Sequence, residues 1–175
     1  MKYGFHKISL DSLVAELKTS KSSLYNHFKS KEDLVYQVLS QMNLEINSKL
    51  ETIMQDKKLS FYGKLSSIME FTGNLLNESG EEFLHDLKIF TPDLWHQYMN
   101  MRKDRINRYY KRLFEMGMEE GMVRKDLNPA LVLSAYFKLT EISVNSEDLR
   151  GLNLNNQEAY QQISTLFLEG IRNQN

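Results

Sequence analysis

Apolar residues recur at helical spacing along almost the whole chain, and its only two prolines stand where helices begin. The run Leu34, Val35, Val38, Leu39, Met42, Ile46, Leu50 and Ile53 is the plainest case, because residues three and four apart share one face of a helix. The period-two alternation of a half-buried strand is nearly absent. Thr91-Pro92 and Asn128-Pro129 each pair a capping side chain with proline at the first helical position, where the missing N–H is no loss. These signals predict an all-α fold with helices near 9–17, 20–27, 31–55, 59–78, 81–90, 92–119, 129–144 and 157–172. The polar segment Asn145 to Asn156, which contains Gly151, predicts a surface loop.

A chain of 175 residues, 41% hydrophobic and 26% charged, can bury one sizeable core or two small ones. With no cysteine there is no disulfide framework and no thiolate chemistry, which suits a reducing, cytoplasmic compartment. Neither a signal-peptide core near Met1 nor a membrane-length apolar run is found, so no membrane partner is expected. The net charge of −1 hides an asymmetry. Residues 1–31 carry six lysines against Asp11 and Glu16, a net +4, and the remainder carries 16 basic against 21 acidic residues, a net −5. A positive head on a negative body suits a phosphate-contacting module joined to a domain with another task.

Within the head, Ser9 is placed to cap a short helix with an apolar stripe of Leu10, Leu13, Val14 and Leu17. Lys18 and Thr19 make a turn, and Ser20 caps a second short helix whose Leu24, with Phe28 behind it, faces back toward the first. Lys21, Ser22, Ser23, Asn26 and His27 are left to face outward. Lysines neutralise phosphates, short serines allow close backbone approach, Asn26 offers donor and acceptor to a base edge, and Tyr25 and His27 can donate to phosphate oxygens. Lys31, just after the capping residue Ser30, combines an ammonium with a helix N-terminus.

The stretch Ser20 to Leu34, SKSSLYNHFKSKEDL, together with Gly4-Phe5 and Ser9-Leu10, resembles the helix-turn-helix of tetracycline-repressor (TetR) family regulators. The resemblance implies a helix-turn-helix DNA-binding head at 1–42 and a helical-bundle domain for effector binding and dimerisation at 43–175. It implies DNA contacts from Ser9, Lys21, Ser22, Ser23, Tyr25, Asn26, His27 and Lys31, over a small core of Leu13, Leu24 and Phe28. Lys18 stands where the family often has glycine. Only three residues precede Gly4, where the family has a whole helix, so the first helix of the head is expected to be missing or very short. A late start, a deliberately shortened chain and a real loss of DNA binding would each give that pattern.

In the body, Glu120 to Pro129 and Leu166 to Ile171 resemble the family's connection into its eighth helix and the end of its ninth, the pair that usually forms a symmetric dimer face. Leu131, Val132, Ala135, Tyr136, Leu139, Tyr160, Ile163, Phe167 and Ile171 supply the apolar stripes for it. Aromatic and methionine side chains crowd the middle helices, and as packing residues alone they would form core. A ligand pocket of the kind the family encloses would draw on Phe61, Met69, His85, Phe90, Trp95, His96, Tyr98 and Met99 and would take a mainly apolar effector. Arg102, Arg105, Arg108 and Arg112 read as a solvated stripe paired with Glu115 and Glu119, or as a contact for an acidic effector. Glu81 with His85 and Asp93 with His96 share helix faces at metal-ligand spacing, a pattern common by chance. No phosphate-cradling loop, nucleophile elbow or cofactor motif is present, so neither an enzyme nor a cofactor is expected. The expectation is a homodimeric one-component transcriptional regulator, a repressor released from a palindromic double-stranded DNA operator by a small molecule. The alternative is a dimeric ligand-binding or interaction module with a non-functional head.

Overall fold

Serine and asparagine caps set most of the helix starts in this computed structural model, which describes residues 4–79, 81–149 and 151–172. Ser9 Oγ accepts the Ser12 N–H at the start of α1 (Leu10–Glu16), and the Ser12 hydroxyl returns the favour to the Ser9 N–H. Ser20 Oγ accepts the Ser23 N–H at α2 (Lys21–His27). Ser30 Oγ accepts the Asp33 N–H at α3 (Lys31–Gln55), while Asp33 accepts the Lys29 N–H and clamps the α2–α3 turn. Each bond satisfies a backbone donor that the helix itself leaves unpaired. Between α1 and α2, Lys18 takes φ +50, the left-handed geometry that the turn demands.

The body continues with α4 (Phe61–Ser79), α5 (Glu81–Phe90) and α6 (Pro92–Arg105). A π-helical turn at Ile106–Tyr110 joins α6 to α7 (Lys111–Glu119), so the single helix expected over 92–119 is continuous but contains one wide turn. After α8 (Pro129–Glu141) comes a 3-10 turn at Ile142–Val144, then one-turn α9 (Ser146–Leu149) and finally α10 (Asn156–Ile171). Among the described residues no strand forms, and the fold is all-α; one isolated bridge links Val123 to Arg172. The expected loop from 145 to 156 is partly helical because Leu149 is drawn into the interior, whereas Gly151 and Asn153 do turn the chain with positive φ.

Thr91 departs from its expected role. Its side chain caps nothing at α6; buried, it donates instead to the Leu87 carbonyl four residues back and finishes α5. Asn128 behaves as expected, accepting from the Ala130 and Leu131 N–H groups. At the far end of α7, Gly121 with φ +72 closes a reversal in which the Met122 N–H reaches the Gly117 carbonyl and the Gly121 N–H reaches that of Met118.

One apolar core runs from Phe5 and Val35 through Leu50, Ile68, Leu87, Leu113 and Tyr136 to Ile171. Helix α10 packs chiefly on α4 and also on α8, and α3 packs on α4 and α6. Gly117 lets α7 approach the core closely: a Cβ there would lie 2.6 Å from the Phe61 ring and 2.7 Å from Val123. Helix α3 thus begins in the head and ends among the body helices without a break, crossing the 42/43 boundary.

Candidate nucleic-acid interface and the cavity beneath it

Helix α2 buries Leu24 and presents Lys21, Ser22, Tyr25, Asn26 and His27 to solvent. Tyr25 keeps 47% of its surface exposed, which leaves its ring and hydroxyl available to a partner. Ser22, Tyr25, Asn26 and His27 lie within two turns of helix, near the α2 N-terminus whose backbone dipole favours phosphate. These four form the outward cluster that the sequence singles out.

The other expected contacts are placed differently. Ser9 and Ser23 take part in helix starts, Ser9 through its oxygen and Ser23, half-buried, through its N–H. Lys21 pairs with Asp11 across the α1–α2 turn at 2.8 Å, with both groups well exposed. That pairing raises the Lys21 ammonium above its ordinary value, first through the hydrogen bond and then through the charge of Asp11. Lys31 is not a free phosphate clamp. Its ammonium donates to the His6 carbonyl at 2.8 Å and lies 5.9 Å from the Phe5 ring centre, tying the N-terminal turn to α3.

That turn docks on the body. The Gly4 N–H donates to Glu82 at 3.0 Å, the His6 N–H donates to Asp86 at 2.7 Å, Phe5 meets Phe83 edge-on, and His6 stacks on Phe90 at 3.5 Å. A Cβ at position 4 would fall against the Asp86 carboxylate, which would have to shift from its place at the His6 N–H. Leu13, Leu24 and Phe28, expected as the core of the head, line an open apolar groove of about 330 Å³ together with Phe5, Ile8 and Leu17. Met1 to Tyr3, expected to stand in for a first helix, lie outside the described residues.

The residues expected to line a ligand pocket do not gather into one. Phe61 and Met69 are buried in the core. His85 and Phe90 flank the docked N-terminal turn, and His96 is exposed on α6. Trp95 packs against Tyr98. Tyr98 lines an internal space and Met99 touches Arg102 beside another. Helical spacing shows which residues share a face but not which face turns inward. Among the described residues no three His, Asp or Glu side chains group as metal ligands, and the Glu81 side chain lies outside them.

The internal space lies between α3, α4, α6, the π turn, α8 and α10. Arg102 and Arg105 reach into it, which corrects the reading of a solvated stripe: Arg102 is 7% exposed and Arg105 half-buried. Arg112 does reach solvent, but it pairs with Glu51 on α3 and not with Glu115, which takes Lys111. The π turn holds an extra residue, so the regular spacing assumed for the stripe fails at Ile106. Opposite the arginines, the Tyr110, Tyr136 and Tyr160 hydroxyls stand 2.9 Å apart pairwise. Burial, reinforced by the neighbouring phenols, pushes Tyr110 and Tyr136 well above the ordinary phenol range, so both are neutral.

The dimer stripe divides as well. Val132, Tyr136, Tyr160 and Ile171 are consumed by the interior of the protomer, while Leu131 and Ala135 are exposed and Leu139, Ile163 and Phe167 are half-buried. Leu166, 70% exposed on the same side of α10 as Ile163, joins the outer set.

A two-helix head with an outward-facing second helix, carried by a continuous helix into a cavity-bearing body, is the arrangement of a helix-turn-helix protein. Residues 1–38 match the model of the bacterial regulatory proteins of the tetR family. The whole chain aligns with a transcriptional regulator from Cytophaga hutchinsonii (TM-score 0.73, 13% identity, 98% of this chain and 91% of that one). It aligns likewise with a TetR-family regulator from Agrobacterium tumefaciens (0.72, 13%, 98% and 90%) and a TetR regulator from Legionella pneumophila (0.70, 19%, 98% and 90%). No curated protein matches the sequence. The chain therefore has the recognition head and the fold of a TetR-family transcriptional regulator.

Proposed function

We propose that the protein is a one-component repressor that binds a palindromic operator as a homodimer in the cytoplasm and is released by a small molecule held in the body. The exposed cluster of Ser22, Tyr25, Asn26 and His27 on α2 carries this proposal, since among the described residues those side chains make no hydrogen bond or ion pair within the protomer. A division into a head at 1–42 and a body at 43–175 fits it, with α3 as the joint. Dimerisation through Leu131, Ala135, Leu139, Ile163 and Leu166 would give the two-fold symmetry that a palindrome requires. Ligand-dependent release then needs only a ligand that favours one separation of the two heads over another.

The experiment is DNA binding by the full chain to sites selected from random duplexes, followed by fluorescence anisotropy over a salt series. Affinity should fall steeply with salt, and Lys21→Ala, which removes the exposed ammonium at the first position of α2, should reduce the log–log slope by about one phosphate contact. Asn26→Ala should relax preference at one base position and cost about 1–3 kcal/mol. Salt-independent binding, or an Asn26→Ala and Tyr25→Ala double variant that binds like the parent, would sink the assignment and favour a ligand-binding module with an idle head.

A further inference from the structure

Two guanidinium groups share the internal cavity without an acid to balance them. Arg102 donates to the Thr140 carbonyl at 3.2 Å and contacts Met99 Sδ, and Arg105 donates to Asn43 Oδ1. Among the described residues neither has a carboxylate within 4.0 Å. Tyr110 and Tyr136 cannot supply the missing charge, because burial keeps both protonated. Burial also lowers Arg105 below its ordinary value, and the like charge of Arg102 adds to the effect. A buried charge in a folded protein is ordinarily paired. Here the pair is half present.

The geometry points to an acidic small molecule as the missing half: a short-chain organic monocarboxylate whose carboxylate lies between Arg102 and Arg105 and whose apolar body lies against Ile46, Leu50 and Leu75. The size of the space sets the length of the ligand. It measures about 40 Å³, room for roughly three water-sized groups, the size of the carboxylate group itself, so the tail must continue into neighbouring space. A second space of about 20 Å³ adjoins it through Arg105, Ile46 and Leu75 and extends toward Met42 and Met101. The apolar lining of both favours a carboxylate with a hydrocarbon tail over inorganic phosphate. The site also has an outlet toward the head. Ile46 and Leu50 belong to α3, and Arg105 is held by Asn43 of the same helix. A carboxylate that draws Arg105 toward itself competes with Asn43 and so acts on the helix that carries the recognition element. This inference rests on the proposal that the body receives an effector, and it replaces the expectation of a mainly apolar one.

The full chain is titrated, without DNA, with sodium butyrate, with butyramide as the neutral isostere, and with inorganic phosphate, at constant ionic strength. Calorimetry and thermal melting are read together. Butyrate should bind once per protomer and raise the melting temperature, butyramide at the same concentrations should do neither, and Arg102→Gln and Arg105→Gln should each weaken butyrate at least tenfold. Arg105→Gln, at the half-buried position, is the variant that keeps the test open if Arg102→Gln fails to fold. Equal binding of butyramide, binding of phosphate in place of butyrate, unchanged affinity in the folded variants, or no binding of any of the three overturns the assignment. Because no DNA is present, loss of operator binding leaves this result standing, and butyrate binding without any operator binding would refute only the DNA-reading role.

Discussion

Two single side chains occupy positions that cost the protein stability, and each cost points to a different origin. Lys18 holds φ +50 between α1 and α2. A residue with a Cβ is disfavoured there by about 1 kcal/mol relative to glycine, so Lys18→Gly is expected to stabilise the chain by about that amount in chemical denaturation. The family resemblance pointed to this position, because Lys18 stands where those regulators often have glycine. Arg102 was not legible. A basic residue every three or four positions looks the same whether the face meets water or lines a cavity, and only packing against Thr140 and the π turn decides. Arg102→Met removes a buried charge while leaving the Thr140 carbonyl its Ser143 hydroxyl donor. It should raise Tm by about 2–4 °C per kcal/mol gained, with differential scanning calorimetry as the measurement.

At the scale of elements, local chemistry explains how well the helix boundaries could be read. Ser9, Ser20, Ser30, Asn128 and Asn155 mark starts because their side chains bond to backbone within three residues. The π turn and α9 escaped, since both follow from what the distant body packs inward. The end of α3 was equally hidden. Buried Lys64 on α4 donates to the Ile53, Met54 and Asp56 carbonyls, neutralising the negative end of α3 from another helix. Lys64→Met removes the ammonium donor from all three carbonyls, of which those of Ile53 and Asp56 keep a backbone N–H donor, and should cost about 1–3 kcal/mol in urea denaturation. A loss under 0.5 kcal/mol would mean that solvent takes over the role.

Over the whole molecule, the fold and the outward face of α2 were readable from periodicity and residue type, whereas the ligand-pocket set was not. Aromatic residues such as Phe61 and Trp95 carry no mark of which neighbours they meet. The same limit applied to the dimer stripe, where Tyr136 and Tyr160 turned inward to complete a hydroxyl triangle. The outer remainder can be tested directly. Leu166→Arg places a charge in the middle of the proposed face and should convert the proposed dimer to a monomer in sedimentation, with the far-ultraviolet circular dichroism unchanged. A dimer that persists would move the interface elsewhere.

Helix α3 is also a lever with unequal arms. From Leu50 beside the arginine cavity to Lys31 at the head is roughly 28 Å at 1.5 Å per residue. A tilt of about 4° pivoting at the cavity would therefore displace the head by about 2 Å, and a symmetric pair would change its span by about twice that. A carboxylate needs to move its wall by only a fraction of an ångström for such a tilt. Stiffness in the shaft, more than any large rearrangement, would then set how strongly a metabolite's arrival is felt at the double helix.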